Sequence, residues 1–326
     1  MVLTYAKILL YVTEFHLMRF YALINKWPVN PLPKLSKDQK KSLNNAVKNL
    51  LKRWGTVRKE FPLSDASSKF GVHLHRYKLI IQDLGAFLKR ARSKESHDLS
   101  NITYSPDCPE YFKRNYHYQT DGYFTYDSAP RYDHQIELLF LGVGHVMRKV
   151  AYSSLKGLVK TNAEVLEFGA ASGISGFQFK SLYPNVSLDL LEPSEAYLKY
   201  AQDTYPGLFN ATFPEFMENF KPIKKYDCVF SCFVMHEIPV SKWDEITEVI
   251  KASLKRDGHL LIIDSQQNCD KKEHQFALDQ FEEDFFEPYF KEYRALPLEK
   301  YFEKNGFKLI NQFEVLFSKA LLFSLH

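Results

Sequence analysis

Cysteine is scarce in this chain: the 326 residues hold four, Cys108, Cys228, Cys232 and Cys269. They are too few and too scattered for a disulfide framework, and the last three fall in or beside expected strands, so a reducing, cytoplasmic setting is expected. An excess of one charge is missing as well. With 43 Lys and Arg against 39 Asp and Glu, the formal charge of +4 falls well short of a concentrated basic field, so no nucleic-acid partner is expected. Nor is there a long apolar run. Residues 1–27 come nearest, but Lys7, Glu14, His16 and Arg19 interrupt them before the roughly 20 apolar residues a spanning helix requires, and no small-residue cleavage site follows. Neither a transmembrane segment nor a signal peptide is expected. A buried or partner-covered helix is the first reading of this segment, and peripheral membrane contact through residues 1–27 is the second. His73 and His75 lack further ligand-type neighbours at metal-site spacing, so no metal is expected.

What is present is ample material for a core. Apolar residues make up 45% and charged residues 25%, a globular balance, and a chain of this length holds one large or two modest units. From Ser36, a candidate N-cap, the apolar stripe Leu43, Val47, Leu50 or Leu51 and Trp54 predicts a helix. Lys37, Lys40, Lys41, Lys48, Lys52 and Arg53 make it basic, read as a solvated face. A second helix runs from about Val72 to Leu88, and Pro28, Pro31 and Pro33 mark a loop before the first. Residues 100–131, with Pro106, Pro109, Gly122 and Pro130, read as a connecting segment. The expected division is therefore a helical region with its connecting cap over 1–130 and a second unit over 131–326.

Beyond residue 130 short apolar runs alternate with helical stripes. Strands are expected over 164–168, 186–191, 227–232 and 260–264, with helices after Gly173, Ser194 and Ser241. Ser241 and Asp244 are placed to form a capping box, and Gly258 to stop that helix. Alternation of this kind predicts an α/β fold, a doubly wound and mostly parallel sheet covered on both faces. After a helix over 298–304, the stretches 307–313 and 319–325 read as an antiparallel hairpin.

The stretch VLEFGAASGISG, residues 165–176, falls where the first of these strands turns into a helix. Ligands in such sheets lie at the carboxyl ends of strands, at the switch point. A dinucleotide would set its pyrophosphate there, but Glu167 ends the strand and Ala171 stands where a middle glycine would allow closest approach. Like charges about 5 Å apart repel by roughly 3 kcal/mol at an effective dielectric near 20, so an acid beside a pyrophosphate is a poor arrangement. Glu192, followed by Pro193, ends the next strand, about 20 residues past the turn, where a carboxylate can accept both hydroxyls of a ribose.

These residues resemble the class I S-adenosylmethionine-dependent methyltransferases, particularly the small-molecule branch that includes the ubiquinone and menaquinone C-methyltransferases, over about residues 115–326. The resemblance implies a seven-stranded sheet closed by an antiparallel terminal hairpin. It further implies that Glu167, Gly169 and Gly173, with the amide of Ala171, bind the methionine portion of the donor and that Glu192 binds its ribose. YDCVFSCFVMHEIP is similar to the family's fourth strand and turn, implying Ser231, Cys232 and Phe233 beside the donor, and SAPRYDHQIELLF resembles the preceding helix, implying Tyr132 and Asp133. Asn210 stands near the place of the adenine-binding acid, with Glu215 as the alternative.

Methyl transfer from a sulfonium asks the protein mainly for alignment and exclusion of water, and no metal. Where the acceptor must lose a proton, His236 or Glu237 is the candidate base, with helix capping or packing as the other reading of His236. Phe276, Phe281, Phe285, Phe286, Tyr289, Phe290 and Tyr293 read either as core or as a lid over the substrate, and residues 116–127 as the other pocket wall. The acceptor expected is a small apolar or aromatic molecule. A nicotinamide-dependent oxidoreductase and a non-catalytic scaffold of the same fold are the competing classes.

Overall fold

The computed structural model describes residues 2–29, 34–61 and 70–325, so Pro31 and Pro33 lie outside the described residues. Three long helices open the chain: α1 (Val2–Ile24), α2 (Lys37–Glu60) and α3 (Phe70–Ser93). Ser36 caps α2 through a reciprocal box with Gln39, which satisfies two backbone donors at once. The basic residues of α2 are exposed, while Leu50, Leu51, Trp54 and Val57 are buried. α1 has its polarity reversed: Thr4, Tyr11 and Glu14 face inward, while Leu3, Leu9 and Phe20 are 66%, 68% and 63% exposed. Among the described residues no helix is long and apolar enough to cross a membrane.

A connecting segment with short 3-10 turns at Glu110–Phe112 and Tyr116–Tyr118 leads into α4 (Ser128–Leu139) and α5 (Gly144–Tyr152). The boundary expected at residue 130 therefore falls inside a helix. Pro130 occupies the first turn of α4, where a missing N–H breaks no helical bond, so it starts the helix rather than ending a linker.

The alternating part follows as β1 (Glu164–Phe168), α6 (Ile174–Lys180), β2 (Ser187–Leu191), α7 (Glu195–Thr204), β3 (Ala211–Phe213), β4 (Tyr226–Cys232), α8 (Trp243–Ser253) and β5 (Leu254–Ser265). Then come α9 (Gln275–Asp284), α10 (Phe290–Ala295), α11 (Leu298–Lys304), β6 (Phe307–Val315) and β7 (Ser318–Leu325). The seven strands lie in the order β3-β2-β1-β4-β5-β7-β6. The first five run parallel and β7 is antiparallel to both β5 and β6. The chain winds outward from β1 and returns to β4, so the switch point lies at the carboxyl ends of those two strands.

Strand alternation divides the core between the two faces. Val165, Leu188, Leu190, Phe230 and Ile263 pack with Trp54 and Val57 of α2 and Met147 of α5, whereas Leu166, Phe168, Val229 and Ile262 pack with Trp243, Phe290 and Phe302. The first third of the chain thus shares its core with the sheet.

Two local expectations fail. Ser241 and Asp244 form no capping box, because Val240–Lys242 turn as a 3-10 helix into α8 and Asp244 accepts the Tyr301 hydroxyl instead. Gly258 does not stop α8, which ends at Ser253. It lies within β5, where the register against β4 jumps from Tyr226 opposite Leu254 to Cys228 opposite His259.

Candidate active site

The turn after β1 closes on the second strand: the amides of Gly169 and Ala170 donate to the Leu191 carbonyl at 2.9 and 3.1 Å. Gly169 and Gly173 have φ of +67° and +76°, and a Cβ on Gly169 would stand 2.7 Å from Val234 and one on Gly173 2.7 Å from Ala201. Only glycine fits both. Ala171, between them, adopts a φ of +44° as a non-glycine residue, a conformation costing roughly 1–2 kcal/mol.

Glu192 is fixed by two backbone amides, Oε2 accepting from Ala171 at 2.8 Å and Oε1 from Ser194 at 3.0 Å. One acceptor site on each oxygen remains, the pair a ribose diol would fill. Burial raises the Glu192 carboxyl to about 7 and that of Glu167 to about 8. Glu167 is fully buried beneath the turn, beside the Ser175 hydroxyl and the Gly176 amide, which only partly offset its burial. A buried acid beside a carboxylate set for a diol suits a cationic, phosphate-free nucleoside and opposes a pyrophosphate.

A cavity opens at this switch point. The structure brings Tyr132, Gly169, Ala171, Glu192, Pro193, Phe233 and Glu237 into its wall. Glu167 and Gly173 support the turn, and Ser231 and Cys232 are buried within β4. Asn210 is misplaced: it precedes β3 and donates to Asp189 Oδ1 at 2.9 Å, at the amino end of the strand, away from the cavity. Glu215 follows β3 and neighbours Phe216 and Met217, both of which line the cavity, so the alternative has the better position. Asp133 braces the turn from behind, accepting from Ser172 Oγ while paired with Arg76 of α3 at 2.7 Å.

His236 and Glu237, adjacent in sequence, part company. The His236 ring is buried outside the cavity wall, its Nδ1 2.6 Å from Asp264 Oδ1, while Asp264 Oδ2 accepts the amides of Val234 and Met235. Glu237 faces the cavity, and its Oε1 accepts the Tyr123 hydroxyl at 2.8 Å and lies 3.2 Å from His117 Nε2. His117 Nδ1 meets Glu287 Oε1 at 2.7 Å, and Glu287 Oε2 lies 3.9 Å from His236 Nε2. Burial opposes the charge on both imidazoles, but Glu287 and Glu237 hold His117 up to about 10 and Asp264 holds His236 up to about 9. The result is one alternating chain: Glu237, His117, Glu287, His236, Asp264.

Sequence reasoning missed His117, Glu287 and Asp264. The stretches around the first two read as pocket wall and lid, but nothing in either marks the polar residue as the functional one. His117 also has a left-handed φ of +52°, strain of the sort that functional segments store. The aromatic insertion divides between the two readings given to it: Phe290 and Tyr293 are fully buried core, while Phe285 and Phe286 rest against His117 and Tyr116.

His73 does have ligand-type neighbours, contrary to expectation. Its Nε2 lies 2.6 Å from Glu14 Oε1, and His134 Nε2 lies 3.2 Å from Glu14 Oε2, joining α1, α3 and α4. The ligand atoms of this trio, like those of His117, Glu237 and Glu287, fall within 4.8 Å of one another, a separation a metal ion could bridge. His75 is exposed and apart.

The methyltransferase domain family matches residues 133–312, more than half of the chain. Malonyl-[acyl-carrier protein] O-methyltransferase 1 of Ilyobacter polytropus is 36% identical over 73 residues, 22% of this chain and 27% of that protein, so the match spans about a quarter of its relative's length. Among solved structures, a SAM dependent methyltransferase from Aquifex aeolicus is similar at 21% identity, covering 54% of this chain and 89% of that one with a TM-score of 0.40. N-methyltransferase NodS from Bradyrhizobium japonicum, in complex with S-adenosyl-l-homocysteine, is similar at 12% identity over 56% and 85% of the two chains, with a TM-score of 0.41. The chain belongs to the methyltransferase domain family.

Proposed function

We propose that this protein transfers the methyl group of S-adenosylmethionine to a small, largely apolar acceptor held in the cavity above the glycine turn. The observation that carries this reading is Glu192, pinned by two amides with its remaining acceptor sites free at the cavity wall. Glu167 and the turn of Gly169, Ala171 and Gly173 hold the methionine portion, Glu192 the ribose, and Tyr132 and Phe233 the flanks. The donor arrives already activated as a sulfonium, so the protein supplies alignment and a dry, aromatic surround. Glu237 takes the proton that the acceptor must lose, and His117 and Tyr123 position its carboxylate. His236 acts one step behind, tying Asp264 to the turn that carries Glu237. The four cysteines are free thiols, in keeping with work in a reducing compartment.

Titration calorimetry tests the donor assignment. S-adenosylhomocysteine is expected to bind the purified protein in the micromolar range, and NAD to give no heat. Heat with NAD alone would transfer the protein to the nicotinamide oxidoreductases.

A further inference from the structure

We infer that the acceptor is a cationic amine, a substrate class that rests on the donor reading above. The charge balance of the cavity wall points there. Its ionisable acids are Glu192, which belongs to the donor, and Glu237, and among the described residues no lysine, arginine or histidine lines it. An anionic acceptor would meet a carboxylate and no counter-charge.

Hydrogen-bond donors are equally scarce at that end. The Tyr111 hydroxyl donates to Glu218 at 2.9 Å, Tyr116 to the Tyr111 carbonyl at 2.7 Å, and Tyr123 to Glu237 at 2.8 Å. With those protons committed to the protein, these three residues contribute aromatic rings to the cavity wall. A wall of aromatic rings with one carboxylate among them suits an ammonium group, because π-electron density and the acid both favour positive charge.

The buried chain behind Glu237 does not cancel its charge. With both imidazoles protonated, His117 and His236 are balanced by Glu287 and Asp264, which leaves one negative charge, that of Glu237. This net negative charge lies at the acceptor end, where it draws a cation inward and stabilises the proton that the cation gives up.

The reaction balances without a further reactant. The ammonium passes one proton to the Glu237 carboxylate and becomes a neutral amine. Its nitrogen lone pair then forms the N–C bond while the S–C bond of the donor breaks and that electron pair stays on sulfur. The products are S-adenosylhomocysteine and a methylated ammonium, and the proton on Glu237 returns to solvent.

An isosteric series decides the matter. Benzylamine, benzyl alcohol and benzoate are titrated into the full chain saturated with S-adenosylhomocysteine, and then into Glu237→Gln. Benzylamine is expected to bind at least ten-fold more tightly than either of the others, and the preference to vanish in the variant. Equal affinities, a preference for benzoate or benzyl alcohol, absence of binding by all three, or a preference that survives Glu237→Gln overturns the assignment. Failure of S-adenosylhomocysteine itself to bind removes the donor reading instead, so the two failures are told apart in one instrument. His117→Asn adds a readout that mere packing would not give: where His117 positions Glu237, its loss shifts the pH midpoint of benzylamine binding while leaving S-adenosylhomocysteine affinity within three-fold.

Discussion

The two ends of the cavity are built in opposite ways. At the end proposed for the donor the work is done by one stretch of chain: Ala171 and Glu192, joined by a 2.8 Å hydrogen bond, are 21 residues apart, with only the rest of the turn, α6 and β2 between them. At the acceptor end Tyr123 and Glu237, joined by a bond of the same length, are 114 residues apart, and Glu287 comes from a third segment. The donor end is held by backbone amides that any sequence with the right turn would supply. At the acceptor end every one of these links needs a particular side chain, even where its partner is a backbone group. A common donor can thus stay fixed while the acceptor site varies, because a change at one end leaves the other's supports in place.

If the ends are separable, Glu237→Gln is the most damaging single change. Loss of a positioned base is expected to lower kcat by roughly 10²–10⁴-fold, while the affinity for S-adenosylhomocysteine stays within three-fold. Equal damage to both quantities would break the comparison. The counterpart at the donor end is Glu192→Ala, which removes the diol acceptors and frees the amides of Ala171 and Ser194. Two charge-assisted hydrogen bonds at about 1.5–3 kcal/mol each predict a loss of donor affinity of 100-fold or more, measured by calorimetry.

The same asymmetry explains what was legible in the sequence. Glu167, Gly169, Gly173 and Glu192 are readable because their spacing is set by the length of one strand and one helix, and the terminal hairpin is readable because its alternation is local. Asn210 was misread because the approach to β3 and the exit from it lie only a few residues apart, so an error of one short strand reverses the end of the sheet. His117, Glu287 and Asp264 gave no signal, since a lone histidine among aromatics acquires its partners only when distant segments fold together. His73 shows the same limit: Glu14 lies 59 residues before it in the chain and is its direct neighbour in the fold.

A smaller effect sharpens the donor side. Burial holds Glu192 up to about 7 and Glu167 up to about 8, above the usual carboxyl range. Between the unfolded value and these, the folded state keeps protons that the unfolded state releases, so stability without ligand is expected to fall as pH rises from about 4.5 to 8 and to level off above. Binding of a cation and a diol favours the ionised acids. Affinity for S-adenosylhomocysteine is therefore expected to rise from pH 6 to pH 8 by about ten-fold through Glu192 and further through Glu167, and Glu192→Gln to remove the ten-fold share. A flat profile in the unmodified protein would mean that both carboxylates are ionised before the ligand arrives.

The mildest change is also the most specific to this chain. Ala171 adopts a φ of +44°, where an L side chain is strained and glycine is not. Its amide must hold that conformation to reach Glu192, so the strain is carried by the residue that anchors the ribose acid. Ala171→Gly removes the steric cost of roughly 1–2 kcal/mol but gives the unfolded chain more freedom, worth about 0.5–1 kcal/mol the other way. The balance predicts a gain of up to about 1 kcal/mol, seen as a rise of a few degrees in Tm, with unchanged or slightly tighter donor binding. The acceptor series should keep its order of preference in this variant. If the order changes, the methyl group of Ala171 shapes the acceptor site, and the two ends share a residue after all.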